Sequence, residues 1–587
     1  MTTHTQTASP QSGAAEPYEG NGAQLMCQWL LDAGVEVIFG VPGDTGVALY
    51  DAFYATPNLT HVLMNDERGA VFAADAYSRR TNRVGVVEVS SGGGATFCIG
   101  GLGEAFAASV PLVVISSDIH VGSRGTGALT ETDQMALFAG VTKWRTVVDD
   151  AEDIPRALAQ AFTEALGGRP GPTAVVIPEN ILDQQARMQR DSVSDRVPRV
   201  RDRASDRSVH AIAKAASNAK RPVILAGGGV HLSGAYSDLE ALATALGAPV
   251  ATSIHGKGAI AETHPLSLGV VGANGGRDYA TDWVDSADFA LLVGTRANST
   301  DTDGFRAPRR DTGSVTVGIV DIDPHAAATR NYPDAYVATG DAATVLAQLL
   351  DALPGRKSDN WALEAELHSL ATEWRARVSH RPTRPGLLDP WLVMAQVHSI
   401  VPPGTAIVAD CGTPTPYLGA MWEVSRAGRT VVTPRGHGPM GYAIPASMGA
   451  AFADPGRPVV TFTTDGSLVM AAGALETAGR NKSPITFLHF SNGSLGWIKA
   501  LQHFYHDSRY FGTQLSAFDA VAVATGFGLH ATRVTTLDEV SEAVRQALTS
   551  RLPTFIDVPI PDEHDALPPV SSWHQAASGA DVTRPVY

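Results

Sequence analysis

Asp465 and Asn492 each carry a side-chain oxygen that a hard cation would accept, and both close apolar runs of the chain. The run PVVTFTT ends in Asp465-Gly466-Ser467. A segment of helical character, LVMAAGALETAGR, follows, and a second run, PITFLHF, ends in Ser491-Asn492-Gly493-Ser494. This is the order of one strand–helix–strand crossover, and in parallel sheets ligands collect at the carboxyl ends of the strands. Magnesium takes oxygen donors in near-octahedral geometry, usually a carboxylate plus substrate phosphates. The Asp465 carboxylate, the Asn492 amide oxygen and the Ser494 carbonyl would supply three donors. Gly466 and Ser467, opening a helix, would offer N–H groups to a diphosphate. The plainer alternative is that DG and NG are ordinary turn dipeptides after strands.

The elements around these residues repeat one texture. Short β-branched runs alternate with amphipathic helical stretches, which predicts parallel sheets with crossover helices. Residues 1–19 read as a tail, 20–185 as a first α/β domain and 186–205 as a charged linker. Residues 206–353 form a central domain and 354–388 a second linker around a helix. Residues 389–567 form a third domain and 568–587 a C-terminal tail. The fold class is thus α/β, with three doubly wound parallel-sheet domains.

Four further stretches make the pattern specific. Phe39-Gly40-Val41-Pro42-Gly43-Asp44, Asn65-Asp66-Glu67-Arg68-Gly69-Ala70 and Ser91-Gly92-Gly93-Gly94-Ala95-Thr96 follow one another in the first domain, and His437-Gly438-Pro439-Met440-Gly441 lies in the third. Together with Thr464-Asp465-Gly466 and Ser491-Asn492, they resemble the thiamine-diphosphate-dependent enzymes of the acetolactate-synthase-like group, over about residues 20–565. The resemblance implies pyrimidine-binding, central and diphosphate-binding domains in that order. It implies Glu67 as the glutamate that hydrogen-bonds the cofactor pyrimidine, and Met440 as the apolar prop between its two rings. Val41, Pro42, Gly43, Gly93, Thr96, Gly412, Thr413, His437, Gly466, Ser467, Asn492, Ser494, Leu495, Gly496 and Trp497 become cofactor contacts, and Asp465, Asn492 and Ser494 magnesium ligands. Thr130 and Lys257 join Glu67 as catalytic candidates. The cofactor would lie between the first domain of one subunit and the third of another, so the resemblance implies at least a homodimer.

The sequence also departs from that group. Leu129-Thr130-Glu131 replaces a usual Phe-Gln-Glu, Pro414 stands where a His is common, and Leu501 takes the place of an acceptor-selecting Trp. His120 and His437 read most simply as ordinary polar histidines. In the central domain, Gly227-Gly228-Gly229, Gly294-Thr295-Arg296 and Asp321-Ile322-Asp323 form the frame on which relatives carry FAD. A coenzyme A nucleotide could use the same ledge. The stretch Trp497 to Phe511 reads either as a lid or as a packed amphipathic helix.

A net charge of −16 without a basic run excludes nucleic acid and anionic membrane as main partners. Three scattered cysteines and no apolar leader or spanning segment point to a reducing cytoplasm. The expected activity is decarboxylation of a pyruvate-like 2-oxo acid with ligation to a carbonyl acceptor. The alternatives are a decarboxylase or 2-hydroxyacyl-CoA lyase without ligation, or a non-catalytic subunit.

Overall fold

The computed structural model describes residues 17–189, 201–310, 313, 315–355, 360–379, 381 and 385–579. Three six-stranded sheets, each parallel throughout, are flanked by helices. Their strands, such as Val37–Gly40, Leu112–Asp118 and Val459–Thr464, are continuous apolar runs because both faces are covered.

Numbered in chain order within each domain, the strands lie in the order 2-1-3-4-6-5 in the first and third domains. In the central domain the order is 3-2-1-4-5-6. A ligand crevice opens where the strand order reverses. In the first domain that point falls between Val37–Gly40 and Gly85–Val89, and in the third between Ala406–Ala409 and Val459–Thr464. In the central domain it falls between Pro222–Ala226 and Phe289–Val293. The turns after these strands hold Val41-Pro42-Gly43, the glycine run, Thr413, Asp465, Gly227-Gly228-Gly229 and Gly294-Thr295-Arg296.

The first and third domains share one hydrophobic core besides a separate core in each, while the central domain has its own. The shared core is built on helix Glu67–Thr81, which packs against Ala443–Ala453. Their backbones come so close that a Cβ on Gly449 would sit 1.8 Å from the Ala73 carbonyl oxygen. Beside this contact lies a buried polar network. Arg79 pairs with Asp75 at 2.7 Å and Glu104 at 2.9 Å, and donates to the Thr433 carbonyl. The Tyr442 hydroxyl donates to Asp75, and the backbone N–H groups of Gly436, His437 and Gly438 donate to Glu104.

Both expected tails need correction. Tyr18–Asn21 pairs antiparallel with Gln185–Met188, so the first domain begins inside the expected tail and runs beyond residue 185. At the other end, Ser571–Ala577 is a helix whose Trp573 is fully buried, its ring 4.4 Å from that of Trp497. Burial of that indole holds the segment on the third domain. Among the described residues, no helix is long and apolar enough to cross a membrane.

Candidate functional site

The crossover strands bring Asp465 and Asn492 together. Asp465 Oδ2 accepts the backbone N–H groups of Asn492 at 2.8 Å and Gly493 at 3.0 Å. Its Oδ1 stands 3.5 Å from His489 Nε2, a buried atom without a hydrogen-bond partner. Asn492 Oδ1 accepts from Ser494 N and Oγ, which fixes the turn that carries the Ser494 carbonyl. These donors are a carboxylate, an amide oxygen and a backbone oxygen, a set that suits magnesium and leaves positions for phosphate and water. No group of three or more His, Cys, Asp or Glu side chains that could hold a metal occurs among the described residues. The site therefore depends on amide and backbone oxygens.

Met440 touches Gly466: a Cβ there would lie 3.5 Å from Met440 Cε and 2.5 Å from Leu495 Cδ2. Ser467 Oγ accepts the Gly441 N–H at 3.1 Å, tying the two turns together. The Thr413 hydroxyl donates to Glu563, to which Asn492 Nδ2 also donates at 3.3 Å. Gly496 faces the same Glu563 carboxyl, and Gly412, at φ +94°, lies beside Trp497. Burial pushes the Glu563 carboxyl up, and the Thr413 hydroxyl works against that shift. The His437 ring packs over Gly103 of the first domain.

In the first domain, Glu67 opens its helix behind Asp66, whose side chain accepts the Gly69 N–H. Burial raises the Glu67 carboxyl above its ordinary value. Its own backbone N–H opposes this, while the charges of Asp66 and Glu88 add to it. Glu67 Oε1 lies against Gly94, and Gly43 crowds the Ser90 side chain. Gly93 and Thr96 are exposed at the start of the next helix, where the Thr96 hydroxyl bonds back to Gly93. Thr130, at φ +67°, accepts from Ser91 Oγ at 2.8 Å and so stands beside the glycine run. Val41 and Pro42 form the open turn before Gly43.

Lys257 is not brought to this region. It is buried in the central domain, paired with Glu262 at 2.6 Å, with Arg277 3.5 Å from the same carboxyl group. Burial lowers its ammonium to about 8, with Glu262 pulling the other way. Leu501 packs into the cluster of Ala500, Val570 and Trp573. His120 accepts the Gly122 N–H as a local cap. Glu104, His489 and Glu563 are not singled out by the sequence. Glu563 follows the sheet strand Thr554–Pro559, and inspecting the turn after every strand finds it.

The central ledge opens on a cavity of about 310 Å³ between the first and central domains. Gly228, Gly229, Arg296, Asp321 and Asp323 line it from one side and Arg169 from the other. Half-buried His255 lines it too, with its buried Nε2 unpartnered. Burial pushes the Asp321 carboxyl up to about 6. Two guanidinium groups, glycine turns at a switch point, acidic groups and an unpartnered nitrogen fit a nucleoside diphosphate.

Known proteins match this arrangement. Models of the thiamine pyrophosphate enzyme N-terminal TPP binding domain, central domain and C-terminal TPP binding domain match residues 20–137, 209–349 and 410–558. A probable acetolactate synthase large subunit of Methanocaldococcus jannaschii is 31% identical over 564 residues, covering 94% of this chain and 93% of that protein. An acetolactate synthase large subunit of Corynebacterium glutamicum is 30% identical over 589 residues, covering 98% and 92%. The acetolactate synthase isozyme 3 large subunit of Escherichia coli is 30% identical over 564 residues, covering 93% and 96%. With three domain models matched in order around the Asp465–Asn492 turn, the chain belongs to the thiamine pyrophosphate enzyme family.

Proposed function

We propose that the protein decarboxylates a 2-oxo acid and joins the acyl unit to a carbonyl acceptor, as an acetolactate-synthase-like carboligase. The observation that carries this reading is the convergence of Asp465, Asn492, Ser494, Met440 and Gly466 at the switch point of the third domain. Bound thiamine diphosphate supplies the electron sink for loss of CO2. Asp465, Asn492 and the Ser494 carbonyl hold magnesium, and Gly466 and Ser467 face the diphosphate. Met440 supports the ring system, and Glu67 holds a proton on its carboxyl oxygen toward a pyrimidine nitrogen. Thr130 lies at the mouth beside the glycine run, whereas Lys257, held by Glu262, serves the fold.

Among the described residues, no hydrogen bond or ion pair joins the Glu67 carboxyl to the third domain. Phe97 and Leu129 are 63% and 83% exposed in the first domain, and Val469 and Met470 are exposed in the third. These features support a homodimer in which each cofactor lies between the first domain of one copy and the third domain of the other. The 310 Å³ cavity supports a nucleoside diphosphate, the portion common to FAD and coenzyme A.

The test is calorimetric titration of thiamine diphosphate with magnesium into wild type, Asp465→Ala and Glu67→Gln, followed by turnover of pyruvate and other 2-oxo acids. Wild type binds, Asp465→Ala loses at least about 100-fold in affinity, and Glu67→Gln binds but turns over about 10²–10⁴-fold more slowly. Folded wild type without magnesium-dependent binding would refute the reading.

A further inference from the structure

Glu563 touches two of the turns that build the candidate site, yet the reading above gives it no part. It follows the strand Thr554–Pro559, whose neighbour in the sheet is Ile485–Ser491. The two strands end side by side, with Ser491 opposite Pro559, and the Ile560 N–H donates to the Ser491 carbonyl at 2.9 Å. The chain after one strand is thereby laid against the turn after the other, which carries Asn492 and Ser494. Glu563 is 4% exposed there. Its carboxyl has room because residue 496 is glycine: a Cβ on Gly496 would lie 1.9 Å from Oε2.

Each oxygen of this carboxyl has a partner. Oε1 accepts the Thr413 hydroxyl, and Oε2 accepts Asn492 Nδ2 at 3.3 Å. The two contacts differ in kind, because a hydroxyl donates or accepts whereas an amide nitrogen only donates. Asn492 therefore needs an accepting oxygen at Oε2. That contact stands whether or not the carboxyl carries a proton on Oε1, since Thr413 can turn to suit.

On its other side the same amide meets donors. Asn492 Oδ1 accepts from Ser494 N at 3.2 Å and Ser494 Oγ at 3.0 Å. The two ends of an amide are nearly alike in shape, so its partners decide which way it faces. Turned over, Asn492 would set its nitrogen against the Ser494 N–H and its oxygen against the Glu563 carboxyl. The preceding acid braces the other half of the turn: Asp562 accepts from Ser494 Oγ at 3.3 Å and from Lys499 Nζ at 2.6 Å.

We propose that Glu563 is a positioning residue for Asn492: by holding the amide nitrogen, it keeps the amide oxygen presented to magnesium. This rests on the proposed role of Asn492 as a magnesium ligand. A cation accepts only the oxygen end of an amide, and a group that fixes the orientation of a ligand commonly contributes about 10–100-fold in metal affinity.

The test is calorimetric titration of magnesium into the full chain with saturating thiamine diphosphate, across substitutions at 563 and 492. Glu563→Ala weakens magnesium binding by about 10–100-fold. Glu563→Gln stays within about threefold, because its amide oxygen accepts from Asn492 while Thr413 accepts from its nitrogen. In an Asn492→Asp background the sign reverses. There a carboxyl faces the Glu563 carboxyl, and the two either repel or share a proton that magnesium must displace. Removing Glu563, or replacing it by Gln, then tightens magnesium binding. Glu563→Gln in both backgrounds decides the matter should Glu563→Ala fail to fold. An equal change in both backgrounds, with either substitution, would overturn the proposal, because a side chain that merely fills space is indifferent to what stands at 492. Folded wild type that takes up no magnesium would sink the proposed function, and this inference with it, before any variant is compared.

Discussion

The two outer domains and the central domain are built from the same parts and wound differently. All three are six-stranded parallel sheets, but the outer pair share the order 2-1-3-4-6-5 and the central one follows 3-2-1-4-5-6. The outer pair also share one core besides a separate core in each, and that shared core is locked by Arg79, Asp75, Glu104 and Tyr442, while the central core stands alone. The central order is that of dinucleotide-binding folds, and the nucleotide-sized cavity lies there. The outer order places an acid-bearing turn at each switch point, which suits a cofactor held at both ends.

Breaking the lock should separate the two classes of domain. Arg79→Met leaves Asp75 and Glu104 buried without their cation and should cost about 3–5 kcal/mol. In urea, followed by tryptophan fluorescence and limited proteolysis, the shared core should loosen before the central domain. A single unshifted transition would show that the shared core does not depend on the pair. A smaller effect tests the central side. Arg169→Ala should weaken binding of ADP or FAD by about tenfold, through loss of one charge-assisted contact. Thiamine diphosphate affinity should stay unchanged, and equal losses in both ligands would erase the distinction between the domains. The smallest effect is on pH dependence. Burial puts the Asp321 carboxyl at about 6, above its ordinary 3.8, so it is mostly protonated at pH 5 and mostly charged at pH 7. A ribose hydroxyl needs the charged acceptor, so nucleotide affinity should rise several-fold across that interval. Asp321→Asn should flatten the profile.

What was legible in the sequence was local. Asp465 and Asn492 could be found because a strand, a turn and a helix lie within one crossover, and their apolar runs are unmistakable. Glu104 could not: in sequence it is one acid in a glycine-rich helix, and its backbone partners lie more than 300 residues away, at Gly436 to Gly438. Lys257 reads as a reactive lysine, since nothing in HGKGAIAE reveals that a tight turn folds Glu262 back onto it. Trp573 reads as part of a tail because a seven-residue helix has no periodicity to detect. Its burial depends on Trp497, on another element.

The lock between the outer domains has a consequence for how variants of this protein will be read. Asp75 and Arg79 sit on the helix that begins with Glu67, and Arg79 is about 18 Å along it from the glutamate. A helix fixed at its far end by buried charges carries rotation at that end to its first residue. In a saturation screen scored by growth or colour, positions 75 and 79 would therefore rank with Glu67, although neither lies at the cleft. Scores that fall for lack of protein and scores that fall for lack of turnover would coincide there, and only an abundance measurement on the same library would separate them.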